Sequence, residues 1–401
     1  MRILFITDLF DPKLGSEFQV ASKFMQYLEN AQDCDVTLLT LRREKNLKNI
    51  STWMKLHGIQ RINVELIPML FSNTEGHHKS RLLFFLDLIR FYLKCFFRQR
   101  DYDAVWKCGQ VNFIFNILFL LCPNLKILGP LSGFEYPPIK EIYKDGDIVL
   151  FIRYMFYSAI IFIALQIFKL AFILKKNLRY IIFATKKDLE SFPSINKDRG
   201  FVISEIDISF LLSEIKAKSS IKKSIISKKR LKLLWVGSLV RRKRPIKAAE
   251  LMMFLAQRNE NISCTMLGDG PLSEKVIKKG FGLKPDTSLA SEVTREEVFN
   301  LVQESDLILI TSWREVNSVF LFEVLASNVS ILAPNISGMC DTIFEENLFE
   351  LSQLNDLVYM ENIVLDELAN DNKADNRQTL KNMMIEEEKN ISKILKFLTS
   401  L

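Results

Sequence analysis

Asp306-Leu-Ile-Leu-Ile-Thr311 and the adjoining Ser312-Trp-Arg-Glu-Val-Asn-Ser-Val-Phe-Leu-Phe-Glu323 are the stretch of this 401-residue chain that decides its fold. The apolar run predicts a buried strand, and the residues after it predict a loop and then a helix. Glu315 falls in the loop, whereas Glu323 falls in an apolar segment, where a carboxylate is costly unless a donor pairs with it. Two acceptor groups beside the C-terminal end of a strand suit the hydroxyls of a sugar and of a ribose.

Apolar runs alternate with helical patterns along most of the chain. One series of predicted strands extends from Ile3-Leu-Phe-Ile6 to Phe201-Val-Ile203, and a second begins at Leu231-Lys-Leu-Leu-Trp-Val236. Thr294 and Glu297 predict a capping box at the start of a helix. Such alternation is typical of parallel sheets with helices on both faces. We therefore expect an α/β protein with two doubly wound, Rossmann-like domains.

The composition limits the domain boundaries and the class of partner. Residues 213–230 are rich in Lys and Ser and predict a linker. The net charge of +7 suits anionic partners such as nucleotide diphosphates or anionic lipid. The chain has no nucleic-acid motif and no metal-ligand spacing, so we expect neither nucleic acid nor a metal. Six cysteines without a C-x-x-C pattern predict reduced thiols in a cytosolic protein.

Two apolar segments raise the question of a membrane. Ile148–Leu174 is interrupted by Arg153, Gln166 and Lys169, which favours a buried or interfacial helix over a membrane span. Leu82–Arg98 has Asp87, Arg90, Lys94 and Arg98 on one helical face and aromatic residues on the rest. It predicts either a helix docked on the sheet or a helix that lies in a membrane interface.

Three glycine-containing loops follow predicted strands. Gly15-Ser-Glu17 stands where a first helix begins, Gly237-Ser-Leu-Val-Arg-Arg-Lys-Arg-Pro245 stands before a helix of the second half, and Gly268-Asp-Gly-Pro271 ends the next strand. Backbone N–H groups and cations at such positions suit an anion. The first loop also fits a plain helix cap, the second a solvated charge run, and the third a plain turn.

The order of these motifs, with Glu315-x7-Glu323 and Ser337-Gly338 after them, resembles the family-four retaining glycosyltransferases of the two-Rossmann GT-B fold. Gly129-Pro-Leu-Ser-Gly-Phe-Glu135 is similar to a loop of a bacterial polysaccharide branch of that family. The resemblance is strongest over residues 231–343. It implies two domains that face each other across a cleft and a C-terminal helix that packs back on the first domain.

The resemblance also implies domain roles. We expect an acceptor-side domain over residues 1–210, a basic linker over 211–230, a nucleotide-sugar-binding domain over 231–370 and a helical segment over 371–401. Gly133 and Glu135 would belong to an acceptor-side loop.

The residue roles follow from the same resemblance. Lys243 and Arg242 would hold the donor diphosphate, Glu315 the hydroxyls of the transferred sugar, and Glu323 the ribose. The remaining donor-binding positions would be Gly15, Ser16, Gly237, Gly268, Gly270, Asn317 and Ser318. The pattern departs from the family at Ser238, Asn317-Ser318, Ser132 and Phe134, and Trp106-Lys107-Cys108-Gly109-Gln110 stands where a His is common.

The function implied is metal-independent, cofactor-free transfer of a sugar from a nucleotide-diphosphate donor to a lipid-linked oligosaccharide or a growing polysaccharide, as in lipopolysaccharide or capsule synthesis. The enzyme would be cytoplasmic and peripheral on an anionic membrane surface, the inner face of the plasma membrane. A catalytically weak or inactive partner subunit remains an alternative because of the departures. A nucleotide-sugar epimerase of the same fold is a further alternative, although the chain has only three His.

Overall fold

The fold is described from a computed structural model of the chain. The described residues are 1–11, 20–31, 33–42, 46–70, 81–109, 113–146, 148–192, 195, 198–218, 230–282, 286–291, 293–316, 318–370 and 375–401.

The strands are numbered in chain order. They are β1 Arg2–Ile6, β2 Asp35–Arg42, β3 Asn63–Pro68, β4 Ala104–Lys107, β5 Leu125–Leu131, β6 Tyr180–Phe183, β7 Gly200–Val202, β8 Leu231–Val236, β9 Ile262–Leu267, β10 Thr287–Ala290, β11 Leu307–Leu309, β12 Ser330–Pro334 and β13 Leu348–Phe349.

The α-helices are numbered in the same way. They are α1 Val20–Glu29, α2 Asn46–Leu56, α3 Arg81–Arg98, α4 Phe113–Asn116, α5 Ile139–Lys144, α6 Ile148–Leu174, α7 Lys186–Glu190, α8 Ile208–Lys218, α9 Pro245–Arg258, α10 Ser273–Lys278, α11 Arg295–Glu304, α12 Val319–Ser327, α13 Ser337–Cys340, α14 Leu357–Ala369 and α15 Asn376–Ser400. Short 3-10 turns occur at Gln99–Asp101, Ile117–Leu121, Arg241–Lys243, Glu345–Asn347 and Gln353–Asn355.

The first sheet has seven parallel strands in the order β3-β2-β1-β4-β5-β6-β7. Its strands are nearly continuous apolar runs because both faces are covered. In β1, Leu4 and Ile6 pack with α3 and α6 on one face, whereas Ile3 and Phe5 pack with α1 and α2 on the other. The predicted series of strands that extends from Ile3-Leu-Phe-Ile6 to Phe201-Val-Ile203 is present as β1 to β7.

The second sheet has six parallel strands in the order β10-β9-β8-β11-β12-β13. Leu233 and Trp235 of β8 pack against α9 and α14 in its core. The predicted capping box is confirmed, since Thr294 Oγ1 accepts from the Glu297 N–H at 3.2 Å and Glu297 Oε2 accepts from the Thr294 N–H at 2.6 Å. The two-Rossmann α/β class predicted from the sequence is therefore confirmed.

The chain divides into two compact units whose boundaries differ in detail from the predicted ranges. The first comprises residues 1–136, 156–207 and 385–401, and the second comprises 137–155 and 208–384. Residues 211–218 of the expected linker are helical in α8, because Leu211 and Ile215 are buried there. Residues 219–229 lie outside the described part of the chain.

The last turns of α15 belong to the first unit. Ile391, Ile394 and Leu398 are buried against the sheet face that also carries α1 and α2. Lys23 of α1 and Glu387 of α15 form a buried ion pair with an Nζ–Oε2 distance of 2.5 Å. The helix thus returns to the unit in which the chain begins.

Helix α3 is docked on the first sheet, and the interpretation of its aromatic side as membrane-facing is wrong for its central residues. Phe91 is 0% exposed and packs in the core with Tyr92 and Cys95. Asp87 is buried and accepts the Leu70 N–H at 2.9 Å. Arg90 donates to the Pro68 carbonyl at 2.6 Å, so this cation also supports the fold. The side chains of residues 81–84 lie outside the description.

Helix α6 is the one helix, among the residues described, that is long and apolar enough to cross a membrane. At 27 residues it measures about 40 Å. Only 17% of its most apolar window is buried, unlike an ordinary core helix. One such helix is weak support for a membrane span when length and composition are the only criteria.

Candidate functional site

The strand order reverses between β8 and β11 in the second sheet, because β9 and β10 lie on one side of this pair and β12 and β13 on the other. Ligands of doubly wound sheets bind at the C-terminal ends of the strands at this point. The Gly237–Arg244 loop follows β8, and the loop with Glu315 follows β11. The fold therefore brings the basic run and the first predicted carboxylate to one place.

Glu315 is buried and lies at the centre of the site formed by the loops after β8 and β11. Its Oε1 atom accepts from Arg242 Nη1 at 2.9 Å, from Ser312 Oγ at 3.1 Å, and from Lys243 Nζ. Two cations thus share one carboxylate, which leaves about one unit of positive charge at the site. A partly exposed cluster with surplus positive charge around a buried carboxylate attracts an anion, because charge-assisted hydrogen bonds in a partly desolvated site are strong.

The loops around Glu315 are tied together by further hydrogen bonds. Arg242 Nη1 also donates to the Arg314 carbonyl at 2.8 Å, and the Trp313 N–H donates to the Arg242 carbonyl at 2.9 Å. Thr311 Oγ1 donates to the Lys243 carbonyl at 2.7 Å. The two cations and the carboxylate are therefore held by the backbone as well as by their own charges, as a preorganised site requires.

A pocket opens beside the cluster within the second unit. Its wall contains charged, hydroxyl and apolar groups: Trp235, Val236, Lys243, Ile310, Thr311, Ser312, Glu315, Ser318, Phe320 and Met339. Trp235 Nε1 donates to Thr311 Oγ1 at 3.0 Å and so has its polar group satisfied inside the wall. A Cβ at Gly237 would lie 3.3 Å from the Trp235 ring, so the absence of a side chain at the end of β8 avoids a tight contact. Charged and hydroxyl groups that converge beside apolar side chains suit a polar small molecule.

Arg244, the last cation of the basic run, has a different role from the one predicted for the run as a whole. It is 3% exposed, and its guanidinium makes two 3.0 Å hydrogen bonds to the Asp145 carboxylate. It also donates to the Leu351 carbonyl at 3.2 Å. Its backbone has φ 51°, which ends the turn before α9. Arg244 thereby fixes the turn that carries Arg242 and Lys243.

Glu323 lies on α12, apart from the Glu315 cluster in its contacts. Its Oε1 atom accepts from Arg295 Nη2 at 2.7 Å and from Arg295 Nε at 3.2 Å. This partner explains how a carboxylate is tolerated in an apolar segment. Sequence reasoning did not find Arg295, because its position at the start of α11 is close to Glu323 only in the folded chain.

Gly268 and Gly270 allow two loops to approach each other closely. Both have positive φ, 142° and 156°. A Cβ at Gly268 would overlap the Gly237 carbonyl oxygen, and one at Gly270 would lie 2.8 Å from the Leu239 carbonyl oxygen. Glycine is therefore required at both positions for the loop that carries the basic run to pack against them. A direct role in donor binding stays a prediction.

The other predicted donor-binding residues are placed as follows. Ser318 is the residue before α12 and lines the pocket. Gly15, Ser16 and Asn317 lie outside the described residues, so their predicted roles stay predictions.

The predicted acceptor-side loop belongs to the first unit. Gly133 has φ 90°, and Glu135 is paired with Lys187 at 2.9 Å. The Phe134 N–H donates to the buried Asp188 carboxylate at 3.3 Å, and Phe134 packs in the core. The phenylalanine that replaces a family glycine therefore has a packing role here.

The reversal point of the first sheet lies between β1 and β4, and a buried ion pair occupies it. Lys107 Nζ donates to Asp8 Oδ2 at 2.8 Å and to the Cys108 carbonyl at 2.7 Å, and lies 4.9 Å from the centre of the Phe119 ring. Lys107 belongs to the stretch Trp106-Lys107-Cys108-Gly109-Gln110, in which the family resemblance leads one to expect a His. Burial raises the pKa of the Cys108 thiol to about 12, so this cysteine is protonated at neutral pH and is a poor nucleophile.

Comparison with known proteins agrees with this fold. Residues 216–354 match the sequence model of the family described as glycosyl transferases group 1. No curated protein matches the chain in sequence.

Solved structures resemble the chain over nearly its whole length. The lipopolysaccharide outer core galactosyltransferase WaaB is 15% identical, covers 99% of this chain and 99% of its own, and has a TM-score of 0.59. The N-terminal domain of Candida albicans trehalose-6-phosphate phosphatase is 14% identical and has a TM-score of 0.63. The alignment covers 100% of this chain and 97% of that domain. Sucrose-phosphate synthase of Thermosynechococcus elongatus is 12% identical and has a TM-score of 0.60. The alignment covers 99% of this chain and 98% of the synthase chain. At these identities the likeness shows the fold.

The solved structures show that the chain has the GT-B fold. The part of the chain that matches the group 1 glycosyl transferase model, residues 216–354, contains Lys243, Glu315 and Glu323.

Proposed function

We propose that the chain is a retaining glycosyltransferase that moves a sugar from a nucleotide-diphosphate donor to a lipid-linked oligosaccharide or a growing cell-surface polysaccharide. The observation that carries the proposal is the contact of Lys243 and Arg242 with Glu315 at the strand-order reversal of the second sheet. The cluster combines cations for a diphosphate with an acceptor for sugar hydroxyls.

The cluster exchanges its partners when the donor binds. Lys243 and Arg242 turn from Glu315 to the diphosphate oxygens, and the released Glu315 carboxylate accepts hydrogen bonds from the hydroxyls of the sugar. Each group has a partner before and after binding, so the exchange leaves no buried charge unpaired. Glu323 takes the ribose hydroxyls, with Arg295 as its support.

The two cations also assist the chemical step. Negative charge builds up on the diphosphate as the bond to the sugar breaks, and Lys243 and Arg242 stabilise it together with N–H groups that precede α12. The departing phosphate takes the proton of the acceptor hydroxyl. Because the cationic charge comes from side chains, we propose that the reaction needs neither a metal nor another cofactor.

The acceptor class is proposed from the structural neighbours and from the surface of the first unit. The solved structures that resemble the chain include a lipopolysaccharide outer core galactosyltransferase and a sucrose-phosphate synthase. The large exposed apolar area of the first unit favours a lipid-linked acceptor over a free sugar phosphate. We place the protein in the cytoplasm, peripheral on the inner face of the plasma membrane, in lipopolysaccharide or capsule synthesis.

The test is a panel of nucleotide diphosphates and nucleotide sugars, scored by the rise in melting temperature of the purified chain and then by calorimetry. Stabilisation by one nucleotide class, with a further increase for one sugar, is the expected result. Product anomers identified by NMR then test retention, and activity in EDTA tests metal independence. A chain that binds no nucleotide would be the inactive partner subunit, and one that returns an isomerised donor without an acceptor would be the epimerase.

A further inference from the structure

The outward face of α6 is the largest run of exposed apolar side chains on any described helix. Within the first unit its members recur at spacings of four and three residues and include Ile163 at 59% and Leu170 at 60% exposure. The full set is Phe156, Ile160, Ile163, Ile167, Leu170 and Leu174. Such a period places them on one side of the helix.

The opposite side of α6 is fixed in the core of the first unit. Ile161 and Phe168 are 0% exposed and pack with residues of β5 and β6. The Phe168 and Phe113 rings pack edge to face, with their centroids 6.0 Å apart. A helix held in this way along one side cannot have lipid all around it, so α6 does not span a membrane in this fold, despite its length.

The segment of sequence that contains α6 and the residues after it carries only positive charges, of which Lys187 is paired with Glu135. No Asp or Glu occurs between Ile148 and Lys187. The same stretch contains seven cations, which are Arg153, Lys169, Lys175, Lys176, Arg179, Lys186 and Lys187. Lys169 Nζ lies 5.6 Å from the centre of the Phe192 ring and is therefore turned away from the outward face, which itself carries no charge.

Neighbouring elements of the same layer add to the apolar surface. Leu93 and Phe97 of α3 are exposed, as is Leu121 of the turn at Ile117–Leu121. Lys175 at the end of α6 donates to the Cys122 carbonyl, which joins this turn to α6. Exposed Lys94 and Arg100 extend the positive charge in this layer.

We propose that the outward face of α6 is a membrane-docking surface that lies flat in the interface of a bilayer with anionic headgroups. The uncharged apolar face enters the acyl boundary, and cations such as Lys176 and Arg179 contact the headgroups. A protein partner would normally add hydrogen bonds to such a contact, and this face offers almost no groups for them. The inference assigns to α6 the membrane contact that the proposed function requires and that the sequence suggested for α3.

The test uses flotation of the full-length chain on vesicles of phosphatidylcholine, with or without phosphatidylglycerol. The variant Ile160→Gln, Ile163→Gln, Ile167→Gln keeps helix-forming residues at exposed positions. We expect it to melt like the wild type and to lose at least about tenfold in vesicle partitioning. The matched control, Leu47→Gln, Leu56→Gln, Ile385→Gln, changes exposed apolar residues elsewhere in the first unit and should float normally.

The charge contribution is tested separately. Lys176→Gln, Arg179→Gln should weaken binding to the anionic vesicles at low salt and change little on phosphatidylcholine alone.

Three results would overturn the proposal. The wild-type chain does not float, or the α6 variant and the control lose the same amount of vesicle partitioning. In the third, the α6 variant floats normally but changes from dimer to monomer in light scattering. The last result would assign the face to a second copy of the chain. Nucleotide affinity of the α6 variant should be unchanged, so failure of flotation and failure of donor binding are read independently.

Discussion

Arg242 Nη1 lies 2.9 Å from Glu315 Oε1, and the same oxygen also accepts from Lys243. The two residues come from loops after different strands, β8 and β11, and meet only because these strands are neighbours in the sheet. The carboxylate keeps the cations in place without neutralising both. The arrangement therefore accounts for a basic run that is ordered and still able to take an anion.

Lys243→Met should weaken binding of the donor and of the nucleoside diphosphate alike. Loss of a charge-assisted hydrogen bond to phosphate corresponds to about 1.5–3 kcal/mol in binding free energy. Isothermal titration with both ligands measures it. Lys247→Met is the control, because Lys247 lies on α9 and pairs with Glu250. Equal losses in the two variants would contradict a specific role for Lys243.

Glu315→Gln and Glu323→Gln should differ in their effects, because one residue is assigned to the transferred sugar and the other to the ribose. Glu315→Gln should reduce turnover and the affinity for the nucleotide sugar while it leaves nucleoside diphosphate binding near normal or improved, since the two cations lose a competing carboxylate. Glu323→Gln should weaken both ligands, because both contain the ribose. Titration of each variant with each ligand gives the comparison, and a uniform loss for Glu315→Gln would refute the division of roles.

The sequence predicted the sheets well because buried parallel strands leave a local signature of apolar runs. It missed β13, whose two residues are too few for a pattern. The partners Ser312, Arg295 and Asp145 were also missed, because pairing across loops depends on tertiary structure. For α3, the period correctly grouped the charged residues. It could not show that the sheet covers Phe91, because helices docked on a sheet and helices in a membrane have the same period.

Arg244→Met should lower the free energy of unfolding by about 3–5 kcal/mol, because it leaves the Asp145 carboxylate without its buried partner. Arg244→Lys should recover only part of the loss, since Lys cannot make the two-point contact. Urea unfolding of the purified chain measures both. The double variant Arg244→Met, Asp145→Leu should regain stability, and its failure to do so would mean that the Leu351 carbonyl contact dominates.

Phe91→Ser should destabilise the first unit strongly, because truncation of a fully buried Phe costs about 3–5 kcal/mol. Phe97→Ser is the matched control on the same helix, since Phe97 is exposed, and should leave the melting temperature within a few degrees of the wild type. Thermal melts followed by circular dichroism provide the measurement. Normal stability of the Phe91→Ser chain would reopen the interfacial interpretation of α3.

Lys23→Met should detach the end of α15 from the first unit. Lys23 Nζ donates to Glu387 and to the carbonyls of Ser204 and Ile206, and Glu387 accepts from the Ser204 N–H. Removal of the cation leaves a buried carboxylate, for which a loss of about 3–5 kcal/mol in unfolding free energy is expected.

The pair itself is not expected to be a large net source of stability. Burial raises the pKa of Glu387 although Lys23 and the Ser204 N–H lower it. A raised carboxyl pKa means that the folded chain holds the proton more tightly than the unfolded chain, so this contribution to stability is lost as the pH rises through the raised value. The double variant Lys23→Met, Glu387→Leu should therefore be near wild type in urea unfolding at neutral pH, whereas Lys389→Met, at an exposed position of α15, is the control for the single change. A double variant as unstable as Lys23→Met alone would show that the lost contacts to the Ser204 and Ile206 carbonyls, and not the unpaired Glu387, cause the instability.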